Sequence, residues 1–417
     1  MSQRRVVITG MGVVSPLGSS LAEFWESIVS GASGIGDLSK LDAALYPRPR
    51  SAEVRGYDSV DEHNDESLKP FGQAVGYTIA ATRMALDNAR LDIDPDTPND
   101  YAVMVGTTMG NQDVVERTID LYGLTEEDDT HPEMGTQLQF FSPALLSSEV
   151  AKRFSCYGQS ATLVNACAAG NYTVGLAFDR IRSGRNKVIL AGGADPFSRT
   201  CYTIFHRLSA SSADVCRPFD KDRTGMIVGE GAAMLVLEDY EHAVERGAHI
   251  YAEVTGYALN CDAYHATAPH PEGRGAIQAM QRALDMAGLT PGDIQYICAH
   301  GTGTQANDSS EAEAMFRVFD KALANVPVSS IKSMLGHCMG AASALEAVSC
   351  ALALEHQKLP PTLNTEAVDP DFPFPLDVVP NRSRPAKLSH IMSNAFAFGG
   401  NVSCVIFSKP SQPLGVH

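Results

Sequence analysis

Residues 78–91 read TIAATRMALDNARL and residues 276–289 read AIQAMQRALDMAGL. The two stretches align without a gap, and apolar residues recur at helical spacing in both, so the chain contains an internal repeat of amphipathic helices. Each helix is followed by a Pro/Asp-containing turn and an apolar strand that runs into Gly-Thr, YAVMVGTT at 101–108 and YICAHGTGT at 296–304. VVITG at 6–10 and AEVTG at 252–256 read as the strands that open the two copies. Strands alternating with helices predict an α/β protein with mixed or parallel sheets covered by helices. The halves are expected at 1–255 and 256–417.

The echo extends to VNACAAG at 164–170 and IKSMLGHCMG at 331–340, where Cys167 and His337 each precede a glycine, Gly170 and Gly340, at a helix start. By this reading one station carries a thiol in the first half and an imidazole in the second. A helix N-terminus lowers a thiol's pKa and offers N–H donors to an oxyanion. Taken alone, a cysteine among Ala and Gly reads more readily as a packed core thiol. His300, in AHGTGTQANDSSEAEA from Ala299, and Lys332 ahead of His337 are weak signals singly. One thiol and two histidines at strand-to-helix junctions together favour a catalytic constellation.

Composition narrows the classes. The chain has 417 residues, 44% hydrophobic and 19% charged, in the range of folded globular proteins. A net charge of -17 argues against a general nucleic-acid surface. Residues 154–178 carry no charge but are broken by Ser, Gln, Asn, Thr and Gly, which reads as buried core rather than a membrane span. Arg4-Arg5 before VVITGMGVVSPLG mimics an export signal, yet Gly10, Gly12 and Pro16 interrupt it, so a cytoplasmic location is expected. Nine scattered cysteines without C-x-x-C spacing suit reduced thiols and neither a disulfide framework nor a zinc cage. The segment 121–141 reads as an insertion at a surface or interface, and the Pro-rich 359–385 as loops around a short edge strand.

TGMGVVSPLG near the start, NACAAG around Cys167, RPFDKDRTGMIVGEGAA from Arg217, AHGTGT with Asp308 and Glu311, KSMLGH, and NAFAFGGN occur in this order along essentially the whole chain. In these motifs the sequence resembles the beta-ketoacyl-[acyl-carrier-protein] synthases of the type II kind. The resemblance implies a thiolase-like fold, duplicated βαβαβαββ halves in a five-layered αβαβα sandwich. It implies Cys167 as nucleophile, His300 and His337 as the two histidines, Lys332 as the family lysine and Glu311 as its acidic partner. Phe398 falls where the family has a pocket-guarding phenylalanine whose N–H joins the oxyanion hole, with Gly399 beside it on the substrate side. Thr302 and Thr304 match positions that hold a phosphopantetheine arm. The implied reaction is a decarboxylative Claisen condensation of a malonyl-carrier protein with an acyl-Cys167 thioester. It requires no cofactor beyond the pantetheine of the acyl carrier protein, and no metal.

Departures from the family text point to specialisation. Asn165 stands where threonine is usual, Ala169-Gly170 replaces a Ser/Thr-rich segment, and Asn401-Val402 replaces Thr-Asn. DEHNDESLKPFGQ at 61–73 is acidic where carrier-docking synthases have several cations, so docking falls to Lys152, Arg153, Arg207 or Arg217. These features favour a condensing enzyme of a type II polyketide or polyene pathway over housekeeping fatty-acid synthesis, as a homodimer or paired with a homologous chain-length-factor-like subunit. A thiolase would need a Cys-x-Gly loop where NAFAFGG stands, and a non-catalytic chain-length partner would lack Cys167. A papain-like hydrolase leaves the second histidine and the repeat unexplained. The Gly-Met-Gly at 10–12 lacks the third glycine of a dinucleotide fingerprint. His206, His265 and His270 have no metal-ligand spacing and read as structural or surface residues, with 265–267 beside the substrate channel.

Overall fold

A computed structural model describes residues 4–47, 49–57, 65–93, 99–123 and 132–410. Residues 61–64 of the acidic segment and 124–131 of the insertion lie outside this set. The first half runs β1 (Val6–Val14), α1 (Leu21–Ser30), β2 (Ile35–Asp37), β3 (Arg50–Ala52), α2 (Gln73–Ala89), β4 (Ala102–Gly106), α3 (Gln112–Tyr122) and α4 (Pro132–Gln137). It continues through α5 (Leu145–Arg153), β5 (Ser160–Leu163), α6 (Ala169–Arg182), β6 (Val188–Asp195), α7 (Arg199–Arg207), β7 (Gly231–Asp239) and α8 (Tyr240–Glu245). The second half runs β8 (Ala252–Cys261), α9 (Arg274–Ala287), β9 (Tyr296–Cys298), α10 (Gln305–Phe319), β10 (Val328–Ser329), α11 (Lys332–Leu335) and α12 (Ala342–His356). It ends with β11 (Lys358–Leu359), β12 (Arg384–Pro385), β13 (His390–Phe396) and β14 (Asn401–Ser408).

Ten strands form one sheet in the order β10-β9-β13-β14-β8-β1-β7-β6-β4-β5. The pairing reads the same from either end: two parallel pairs, then antiparallel ones, meeting where β1 and β8 join antiparallel at Val6↔Val254, Val7↔Glu253 and Ile8↔Ala252. Residue 255 lies within β8, just past this joint. The repeated helices are α2 and α9, which cover the outer faces of their own halves with α5 and α10. Between the halves lie α6 and α12, giving the αβαβα layering of the thiolase-like fold. Helix α12 is buried from Ala342 through Leu354, as its nearly continuous run of small and apolar residues requires.

Two sequence features acquire a packing explanation. A Cβ on Gly10 would sit 2.2 Å from the Ala85 carbonyl oxygen, and one on Gly12 2.1 Å from that of Ala81. The Gly-Met-Gly of β1 therefore lets α2 lie directly on the sheet. The uncharged run 154–178 is divided among a turn, β5, the following bend and the first turns of α6. No helix among the described residues is long and apolar enough to cross a membrane. All nine cysteines are free, and only Cys261 is exposed. The Pro-rich segment forms loops bounded by the short β11–β12 pair.

Candidate active site

Strand β5 ends in a sharp bend that delivers Cys167 to the start of α6. Ala166 takes a left-handed φ of 49°, and Ala166–Ala168 form a single tight turn before the helix. The second half repeats this bend with Met339 at φ 50° and Met339–Ala341 leading into α12. Matched on these bends, Cys167 corresponds to Gly340, and His337 lies upstream of the turn. The glycine-based alignment of Cys167 with His337 is thus displaced, because the left-handed residue at each bend is Ala or Met and not the glycine. Asp195, at the end of β6, ties the second bend to the loop that follows β4. Its carboxylate accepts from Thr107 Oγ1 at 2.7 Å, the Thr108 and Met109 N–H groups at 2.8 and 2.7 Å, and the Gly340 N–H at 2.5 Å. Burial pushes its pKa up to about 6 against those bonds.

Cys167 is 6% exposed. Burial pushes its thiol up to about 12, with Lys332 opposing. The lowered pKa expected at a helix N-terminus is not what results; desolvation outweighs it, and the resting group is a thiol.

His300 follows β9 and its loop is held from below by α10. Glu311 accepts the N–H groups of His300 and Gly301 at 2.9 and 2.8 Å, and Asp308 those of Thr302 and Gly303 at 3.1 and 3.2 Å. Burial pushes Glu311 up to about 7 against these bonds. The expected Lys332–Glu311 ion pair does not form. Lys332 Nζ instead pairs with Glu346 of α12, donates to the His300 carbonyl at 2.7 Å and meets His300 Nδ1 at 3.3 Å. The reason is topological: Glu311 is spent on backbone N–H groups, whereas Glu346 faces Lys332 from the central layer. Burial disfavours the Lys332 charge, but Glu346 more than offsets this, so the lysine pKa is raised. Glu346 was missed in the sequence, although a carboxylate inside the otherwise uncharged run 342–354 is a signal that could have found it.

The His300 and His337 rings stand 5.4 Å apart at 81°. His337 Nδ1 accepts the Met339 N–H at 3.1 Å, and His300 Nδ1 faces an ammonium that has only protons to give. Both rings therefore carry their proton on Nε2. Burial, joined by Lys332 and for His300 also by His337, holds both pKa values well below the ordinary imidazole range. The pair is neutral, and each ring retains one N–H donor.

A cavity of about 370 Å³ is lined by Cys167, His300, His337, Phe398, Thr302 and Thr304, and also by His265 and Thr267. Lys332 and Glu311 lie behind the histidines and do not line it. Gly399 does not line it either: it is exposed at φ 77°, with its N–H donated to the Ala266 carbonyl at 2.7 Å. Phe398 is half-buried and its ring packs 5.4 Å from Phe205 of α7. Thr304 caps α10 through the Asn307 N–H at 3.4 Å and its hydroxyl lies 2.9 Å from that of Thr302. Among the docking candidates, Lys152 and Arg153 reach Glu149 and Asp65, and Arg217 pairs with Asp214. Arg207 is exposed beside the cavity-lining Leu208 and has no ion pair among the described residues. His206 stacks on Tyr202, and no group of three His, Cys, Asp or Glu among the described residues could hold a metal ion.

The N-terminal domain model of beta-ketoacyl synthases matches residues 3–243 and the C-terminal domain model residues 251–366. The chain belongs to the beta-ketoacyl synthase family. It is 36% identical to a 3-oxoacyl-[acyl-carrier-protein] synthase 2 of Synechocystis, over 98% of this chain and 99% of the relative. A synthase 2 of Staphylococcus aureus is also 36% identical, with the same coverage. Among solved structures, the ishigamide ketosynthase/chain length factor is similar at TM-score 0.91 and 40% identity, over 98% of this chain and 100% of that one. A type II polyketide ketosynthase, bound to the hexaketide and in complex with its acyl-carrier protein, is similar at TM-score 0.89 and 30% identity, with the same coverage.

Proposed function

We propose that this synthase-family chain extends an acyl group by two carbons through decarboxylative condensation with a malonyl-carrier protein. The observation that carries this reading is the convergence of one thiol and two neutral, Nε2-protonated histidines on a single cavity. In the first stage the Cys167 sulfur attacks the carbonyl of an acyl-carrier thioester. A new S–C bond forms, the old one breaks, and the thiol proton ends on the departing pantetheine sulfur. The N–H groups of Cys167 and Phe398 stabilise the tetrahedral oxyanion. In the second stage the malonyl thioester loses carbon dioxide, and the two Nε2–H donors stabilise the enolate oxygen without themselves being charged. The enolate carbon attacks the acyl-Cys167 carbonyl, releasing a 3-ketoacyl-carrier thioester, and a solvent proton restores the thiol.

Lys332 and Glu346 act by holding the tautomer and position of His300, and Glu311 by fixing the backbone beneath it. Thr302 and Thr304 line the path of the pantetheine arm. The two halves, 1–255 and 256–417, supply the nucleophile and the histidines respectively. The reaction written this way uses no metal or organic cofactor. The carrier protein docks beside Arg207, and the chain works in the cytosol as a dimer, either with itself or with a homologous chain-length-factor-like subunit. The departures at Asn165, Gly170 and Asn401, together with the likeness to type II polyketide ketosynthases, support a specialised polyketide or polyene pathway. Intact-mass analysis tests the reading: the parent gains one acyl group from an acyl-carrier protein and then transfers it to malonyl-carrier protein, while Cys167→Ala gains none. Full condensation by Cys167→Ala refutes it.

A further inference from the structure

Asn165 and Asn401, two positions where the sequence departs from the family text, meet in the fold. Asn165 Nδ2 donates to Asn401 Oδ1 at 3.4 Å, and the Tyr172 hydroxyl donates to the same oxygen at 3.4 Å. Asn401 Nδ2 in turn donates to the Phe398 carbonyl at 3.2 Å. The one Tyr172 hydroxyl proton is shared between Asn401 Oδ1 and the Asn260 carbonyl, 3.2 Å away. Asn165 immediately precedes the bend that presents Cys167, and Tyr172 lies on the first turns of α6.

The network runs from the bend that carries Cys167 to the loop that carries Phe398. Around Phe398 the loop is held at several points: the Ala397 N–H goes to the Asn401 carbonyl at 2.8 Å, the Gly399 N–H to Ala266 at 2.7 Å, and the Gly400 carbonyl accepts from Asp262 N–H at 2.8 Å. The Phe398 N–H has no acceptor among the described residues. We propose that Asn165 and Asn401 are positioning residues, a side-chain latch from the Cys167 bend to the Phe398 loop that keeps the Phe398 N–H aimed at the reacting carbonyl. An amide suits this place because one side chain accepts and donates at once, which the single short hydroxyl of threonine cannot do with the same reach. The reversed amide orientation would set oxygen against oxygen at Phe398.

The inference rests on the oxyanion role proposed above for Phe398. Its test is the single-turnover rate of Cys167 acylation by saturating hexanoyl-pantetheine, followed by intact mass, in Asn401→Asp, Asn165→Ala and their combination. Asn401→Asp keeps the acceptor but loses the donor to the Phe398 carbonyl. Each single variant should acylate about tenfold or more slowly, the double variant no more slowly than the slower single one. Iodoacetamide alkylation of Cys167, a displacement that forms no oxyanion, should stay within about twofold of the parent, and this also reports that each variant is folded. Acylation at the parent's rate in Asn401→Asp, losses that multiply in the double variant, or an equal loss of alkylation overturns the latch. A parent that takes up no hexanoyl group overturns the functional reading and the latch with it.

Discussion

Lys332 and Glu346 are both withdrawn from solvent, and each is the other's principal compensation. Removing the ammonium leaves a carboxylate in the apolar centre and leaves His300 Nδ1 without its donor. Lys332→Met should therefore lower stability by about 3–5 kcal/mol in urea denaturation. It should also impair condensation more than acylation of Cys167, since only the second stage uses His300. Glu311 gives a pH signature. Its folded pKa of about 7 lies above the ordinary 4.5, so between these values the native state holds a proton the unfolded chain has released. Its contribution to stability falls as pH rises through that window, and Glu311→Gln should gain on the parent from pH 4.5 to 7 in denaturation curves. At this scale the sequence told much. Cys167, His300 and His337 were legible from their motifs and line one cavity, whereas the lysine's partner was not. Choosing Glu346 over Glu311 requires knowing which helix occupies the middle layer, and motif order does not contain that.

Helix α6 meets α12 so closely at its first turn that a Cβ on Gly170 would lie 2.5 Å from the Ala344 backbone nitrogen. Gly170→Ser, the residue type usual in the family text, should overpack this contact and cost about 1–3 kcal/mol, read as a lower urea midpoint with unchanged slope. The repeat of α2 and α9 was visible because α9 and the second half of α2 bury apolar residues at helical spacing, at 276, 279, 280, 283 and 284 and at 81, 85, 86 and 89, although α2 is buried on every side from Ala74 to Thr82. The central helices were harder to pair correctly. The burial of α12 on all sides from Ala342 to Leu354 erases its amphipathic phase, and small residues at both bends gave the alignment a false glycine anchor.

For the whole molecule, charge decides how a partner approaches. A chain at -17 repels an acidic carrier at long range, so a local cation must carry the approach, and Arg207, beside the cavity, has no ion pair among the described residues. Arg207→Glu should raise KM for a carrier-bound acyl donor about tenfold and leave KM for the free pantetheine thioester unchanged in steady-state assays. The shared middle layer has its own consequence: 1–255 and 256–417 made separately should each fail to give a cooperative unfolding transition in calorimetry, since each would expose one face of the central layer. Both ends of the ten-stranded sheet are built differently. At one end β10 is sheltered by the Asp377 carbonyl, which accepts the Val328 N–H at 2.8 Å. At the other, β5 pairs only with β4 among the described residues and runs directly into a Val164 that is 60% exposed. A ribbon left open there invites continuation by another polypeptide, and the newcomer's backbone would lie next to the very turn that carries the sulfur. Selection of a companion and the contour of the space available to a lengthening chain would then be written into the same few residues.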